Sequence, residues 1–125
     1  MKSGRIGTWL ACALALALVC GCADKRPVLR IYTWSDYLKP ELLERFEREN
    51  GCRIVVETYD SNEALYDSLA ARDREPFDLL FPSSYMVKIL RKQGLLLPFN
   101  HDWIPNLRNV DPIYLEQGFD PQMAY

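Results

Sequence analysis

Strand-like and helix-like patterns alternate along this chain from Val28 to Gly94, and that alternation restricts the fold more than any other feature. The run Val28–Trp34 is rich in β-branched and aromatic residues, which predicts a strand. Pro40 then suits the first turn of a helix, where its missing N–H costs little. Leu42, Leu43 and Phe46 form the apolar stripe of that helix, and Glu41, Glu44, Arg45, Glu47, Arg48 and Glu49 its solvent side. Asn50-Gly51 stops it. Arg53–Tyr59 predicts a second strand. Asp60 and Glu63 have the spacing of a capping box for a helix through Ala71, with Leu65 and Leu69 on its buried face. After a polar connection, Arg72 to Pro76, the mostly apolar run Phe77–Phe81 predicts a third strand of the buried parallel kind. A helical pattern from Tyr85 to Gln93 ends at Gly94, placed as a C-cap glycine. Order β-α-β-α-β-α predicts an α/β fold in which right-handed crossovers build a mostly parallel sheet with flanking helices. Beyond Leu95 the chain turns irregular, with Pro98, Pro105, Pro112 and Pro121; Asp111-Pro112 predicts one short helical turn.

In open parallel sheets, ligands sit in the crevice outside the carboxyl ends of the strands. Three segments fall there: Trp34-Ser35-Asp36-Tyr37, Asp60-Ser61-Asn62 and Pro82-Ser83-Ser84-Tyr85. They carry rings, hydroxyls and carboxylates but no Lys or Arg. A primary or secondary amine, with a pKa near 10, is a cation at neutral pH. The faces of Trp34, Tyr37 and Tyr85 suit it, at roughly 0.5–2 kcal/mol per cation–π contact. Asp36 supplies a charge-assisted hydrogen bond, and Ser35, Ser83 or Ser84 neutral ones. Each residue also has a plainer role. Trp34 fits a core, Asp36 fits a cap for the helix at Pro40, Ser83 or Ser84 fits a cap for the next helix, Asp60 fits the capping box, and Asp78 fits a local backbone anchor. A second ligand class is open as well: helix N-termini collected at one edge suit phosphate, sulfate or a carboxylate. Asp36 and Asp60 oppose that class by charge.

Catalytic and cofactor chemistry find little support. His101 is the sole histidine, and no serine or cysteine beside it has the context of an activated nucleophile; a surface or capping role fits it. Past the first 22 residues only Gly51, Gly94 and Gly118 remain, too few for a P-loop or a dinucleotide fingerprint. No Cys/His cluster suggests a metal site, so neither metal nor cofactor is expected. The chain reads as a binding protein and not an enzyme.

The amino-terminal residues bound the location. Lys2 and Arg5 precede an uncharged apolar run from Thr8 to Val19, the n-region and h-region of an export signal. The run is shorter than the roughly 20 apolar residues of a membrane-spanning helix, so cleavage is expected. Leu18-Val19-Cys20-Gly21-Cys22 resembles a bacterial lipoprotein signal, which implies cleavage before Cys22 and its lipidation; an ordinary secretory signal is the alternative. This gives a signal over 1–21, a linker over 22–27 and a domain over 28–125. Cys12 and Cys20 fall in the signal, leaving Cys52 as a small apolar residue at a strand start. The formal net charge of −2 becomes more negative once Lys2 and Arg5 are removed, so nucleic acid is not an expected partner.

Several ordered segments together resemble a known family. Ile31-Tyr32-Thr33-Trp34-Ser35-Asp36-Tyr37, Pro40-Glu41-Leu42-Leu43-Glu44-Arg45-Phe46-Glu47, Thr58-Tyr59-Asp60-Ser61-Asn62-Glu63 and Phe77 through Tyr85 resemble the spermidine/putrescine-binding proteins of bacterial polyamine ABC importers. Leu107 through Pro112 and Phe119-Asp120-Pro121 continue the match. The resemblance implies the first, N-terminal lobe of a two-lobed periplasmic binding protein, whose lobes close on the ligand by hinge motion. It implies ligand contacts at Trp34, Ser35, Asp36, Tyr37, Ser83 and Tyr85, a polyamine ligand, an inner-membrane ABC permease as partner, and a periplasmic protein anchored through lipid on Cys22. Trp-Ser-Asp resembles the putrescine binders and Ser-Ser-Tyr the spermidine binders. Family members are much longer, so a fragment without the second lobe is expected, binding polyamines weakly on its own. A lobe for another small solute, anion or metal, and a non-catalytic surface interaction domain are the other readings.

Overall fold

The computed structural model of the protein describes residues 24–71 and 76–125. The expected export signal, the expected lipidation position Cys22 and most of the polar connection, residues 72–75, lie outside the described residues. The elements are β1 (Val28–Trp34), α1 (Pro40–Asn50), β2 (Arg53–Tyr59), α2 (Asn62–Ala70), β3 (Leu79–Leu80) and α3 (Ser84–Lys92). Short 3₁₀ turns follow at His101–Trp103, Pro105–Asn109, Pro112–Tyr114 and Pro121–Met123. The alternating order and the irregular tail are those that the sequence predicts.

β1 is the central strand. It pairs in parallel with β2 along its whole length, from Val28 opposite Arg53 to Trp34 opposite Tyr59, and with β3 at Ile31–Leu79 and Tyr32–Leu80. The regular part of β3 is shorter than the expected Phe77–Phe81, because Pro76 and Pro82 bracket the run and have no N–H for a ladder. Pairing nevertheless extends past its ends. The Asp78 N–H donates to the Arg30 carbonyl at 2.9 Å and the Phe81 N–H to the Tyr32 carbonyl at 3.2 Å. The Asp78 carboxylate accepts the Arg30 N–H at 2.7 Å, the backbone anchor predicted for it.

One face of the sheet holds the core. Tyr32 and Tyr59 pack with Leu65 of α2 and Met86 and Leu90 of α3, and Trp34, Leu69, Phe77 and Leu80 close round them. The Tyr32 ring stacks on Phe77 at 4.4 Å and meets Tyr59 edge-on at 4.9 Å. Leu65 and Leu90 are fully buried, a burial that stabilises by about 1.5–3 kcal/mol per side chain. Cys52 is buried with a free thiol, as expected of a small apolar residue.

The helices differ from the expectations in two ways. Leu42 and Phe46, expected to face the core, remain 58% and 45% exposed, and no residue of α1 is buried. Amphipathic spacing selects a face, but it does not supply the surface that covers it. α1 is tied to the sheet partly through a polar contact, in which the Glu47 carboxylate accepts the outward Ile54 N–H of the edge strand β2. The second difference is the cap of α2. Ser61, not Asp60, is the N-cap, and its hydroxyl accepts the Ala64 N–H at 3.1 Å. The capping-box spacing was one residue out of register because the helix opens at Asn62.

Candidate functional site

The strand order β2-β1-β3 creates a switch point beside β1. The connection after β1 leads toward β2, whereas α3 follows β3 on the opposite side, so the chain departs in two directions at the carboxyl edge. A crevice forms there for topological reasons. It is an open hollow of about 520 Å3 lined by Trp34, Ser35, Tyr37, Tyr59, Asp60 and Ser83. All three predicted segments therefore contribute to the same edge.

Of the predicted site residues, Trp34, Ser35, Tyr37 and Ser83 line the hollow; Asp36 and Tyr85 do not. Asp36 sits in the turn after β1 with φ of 60°, a left-handed conformation that short polar side chains tolerate better than bulky ones. It does not cap α1, whose N-cap is Lys39 without a side-chain bond. Tyr85 is 53% exposed on the first turn of α3, and its hydroxyl lies 3.5 Å from the Glu63 carboxylate. Tyr37 is also largely exposed, which leaves its ring face available.

Tyr59, outside the three strand-end segments, and Asn62, within the second of them, complete the site. Tyr59 ends β2, and its ring lies 4.7 Å from that of Trp34. Its hydroxyl donates to the Phe81 carbonyl at 2.5 Å. Burial pushes its pKa up to about 12, with the Tyr32 and Tyr37 hydroxyls adding to the shift, so it stays a neutral donor. Asn62 is 5% exposed and clamps the loop after β3: its amide oxygen accepts the Ser83 N–H at 3.2 Å and its amide nitrogen donates to the Ser83 hydroxyl at 3.0 Å. Ser83 occupies the N-cap of α3 without a capping bond, and its hydroxyl accepts from Asn62. One lone pair and the hydroxyl proton remain for other partners. A strand-end tyrosine opposite Trp34 is the signal for Tyr59; the strand-end rule brings Asn62 and Ser83 to one edge, but their pairing, 21 residues apart in sequence, has no local signal.

The lining combines rings, hydroxyls and one carboxylate, with no Lys, Arg or His. Elsewhere, His101 is exposed and its Nε2 lies 2.7 Å from the Met123 carbonyl, far along the chain from the strand ends. Among the described residues no group of three or more His, Cys, Asp or Glu side chains is arranged to hold a metal ion.

The fold and much of the sequence are shared with known proteins. The chain is 37% identical over 113 residues to the spermidine/putrescine-binding periplasmic protein of Escherichia coli K12, a match covering 90% of this chain and 32% of that protein. The structure superposes with a TM-score of 0.76 on the spermidine/putrescine ABC transporter substrate-binding protein PotD from Streptococcus pneumoniae, at 37% identity over 79% of this chain and 30% of that one. The TpPotD lipoprotein of Treponema pallidum gives a TM-score of 0.72 at 29% identity, over 78% and 31% of the two chains. The chain thus spans about a third of the length of the relatives it matches. The α/β fold is that of the corresponding part of PotD-type binding proteins. The profile of one family, described as hypothetical lipoprotein (MG045 family), matches residues 5–111, most of the chain, and the protein belongs to that family.

Proposed function

We propose that the protein is the extracytoplasmic solute-binding component of an ABC importer, binding a polyamine such as putrescine or spermidine for delivery to an inner-membrane permease. The observation that carries this reading is the hollow at the carboxyl edge of the sheet, where Trp34, Tyr37 and Tyr59 meet Asp60, Ser35 and Ser83 without a competing cation. Rings cover the methylene chain of such a ligand and attract its ammonium groups, and hydroxyls and carboxylate accept its N–H bonds. Trp34, Ser35, Tyr37 and Ser83 contact the ligand from the hollow, while Asp36 and Tyr85 lie beside it, on the adjoining turn and helix start, outside its lining. The relatives named for spermidine and putrescine support the same ligand class. The function is binding and not catalysis. The signal over residues 1–21 directs export, and lipid on Cys22 holds the protein to the membrane on its periplasmic side, as the family description and the Treponema lipoprotein support.

A ¹H–¹⁵N titration of the chain with putrescine and with spermidine tests the reading. Saturable shifts at millimolar concentration, centred on the Trp34 indole N–H and the amides of Ser35, Tyr37 and Ser83, are expected. Shifts that phosphate reproduces, or no shift with either amine, would overturn it.

A further inference from the structure

We infer that the Asp60 carboxylate is the counter-charge that fixes one ammonium terminus of the ligand, so that this hollow recognises a single primary alkylammonium group. The inference rests on the amine reading above and gives it a named acceptor and a substrate consequence.

Position comes first. Asp60 follows the last residue of β2 and lines the hollow with Trp34, Tyr37 and Tyr59. Asp36 does not line it, so Asp60 is the carboxylate within the ring-lined space. Its backbone is firmly based: Tyr59, its neighbour, is 3% exposed, bonded to the Phe81 carbonyl and packed on Tyr32 and Trp34.

Availability comes second. The capping task that its sequence position suggests belongs to Ser61, whose hydroxyl holds the Ala64 N–H. Asp60 is exposed, and among the described residues no hydrogen bond or ion pair engages its carboxylate. A carboxylate beside three rings, with no Lys, Arg or His in the lining, leaves both oxygens for a cation from solution. Ser83 adds one acceptor lone pair beside it, since Asn62 occupies the other.

The consequence concerns ligand class. One carboxylate holds one ammonium, and the alkyl chain beyond it lies against rings that do not distinguish a second charge. A monoamine and a diamine of equal length should therefore bind this chain alike, apart from the twofold statistical advantage of two equivalent ends. A neutral alcohol of that length should bind far more weakly.

The test is a ¹H–¹⁵N titration of the 125-residue chain at physiological ionic strength, where exposed charges beyond about 8 Å are screened. The probes are n-butylamine, putrescine and 1-butanol. Butylamine and putrescine should agree within about threefold and butanol should fall at least about tenfold below them. Asp60 is exposed and its ion pair with an ammonium is solvent-screened, so Asp60→Asn should weaken both amines by roughly two- to fivefold. Glu44→Gln, the same charge change on the exposed side of α1, should leave them unchanged. The thermal midpoint of Asp60→Asn should match that of the parent chain, because Ser61 keeps the cap. If Asp60→Asn binds amines like the parent, or loses no more than Glu44→Gln, the assignment of Asp60 is wrong while the amine reading stands. If putrescine exceeds butylamine by well over tenfold, the single-terminus reading is wrong. If the parent chain responds to no amine, the amine reading itself fails, and this inference with it.

Discussion

Two regions of the described chain are held together by different means. Residues 28–94 are organised by the sheet: β1 pairs on both sides, and the side chains of Tyr32, Tyr59, Leu65, Met86 and Leu90 close over one face. Residues 95–125 are organised by local turns and by the end of the chain folding back. Phe99 N–H donates to the Ala124 carbonyl at 2.7 Å, and the Asp120 carboxylate accepts the N–H groups of Ala124 and Tyr125. In that second region Leu97 is 89% and Trp103 82% exposed, and Ile113 and Tyr114 stay largely open to solvent. Large apolar side chains in a proline-spaced sequence are therefore not by themselves a core. What makes the difference is a sheet face that repeats the same side-chain direction every second residue and gives helices something to cover.

The largest effect that would test this contrast is Leu65→Ala. Removing a fully buried leucine from the cluster should cost about 2–5 kcal/mol by denaturant unfolding; a cost below about 1 kcal/mol would mean that the sheet-borne region is no better packed than the tail.

Next in size is a pH effect centred on Tyr59. Its pKa is about 12 in the folded protein against an ordinary value of 10, so the unfolded chain loses this proton first. The associated stability is complete below pH 10, declines as the pH rises and is lost through about pH 12, for a total of up to about 3 kcal/mol. Urea titrations from pH 9 to 12 should show this decline in the parent chain and a smaller one in Tyr59→Phe. Equal slopes for the two would remove Tyr59 as its source.

The smallest effect should come from the second region. Trp103→Ser, at a position that touches solvent over most of its surface, should change stability by less than about 0.5 kcal/mol. A loss comparable to that of Leu65→Ala would break the comparison.

Much of the first region was legible because its signals are local. Strand composition in Val28–Trp34, the Pro40 start and the Gly51 stop are read from neighbouring residues, and Gly51 and Gly94 do take the left-handed φ of 61° and 67° that a C-cap requires. Asp111 likewise accepts the Ile113 N–H and caps its short turn. The strand-end rule places Trp34, Ser35, Asp36, Tyr37, Ser83 and Tyr85 at one edge, and of these Trp34, Ser35, Tyr37 and Ser83 line the hollow. The cap of α2 was misplaced by one residue, since Asp60 and Ser61 are both good capping residues and sequence alone does not choose between adjacent candidates. The exposure of Leu42 and Phe46 was equally invisible, because amphipathicity says which face seeks cover and not whether cover is present.

The sequence by itself determined the alternation of elements, the parallel pairing that follows from it, and the aromatic and hydroxyl character of the strand ends. Each depends on residues within a few positions of one another. Only the tertiary structure decided that β1 lies between β2 and β3, that Asn62 locks Ser83, and that Asp60 rather than Asp36 shares a hollow with Trp34, Tyr37 and Tyr59. Those facts turn on strand order and on the Asn62–Ser83 contact, and both join segments some twenty or more residues apart.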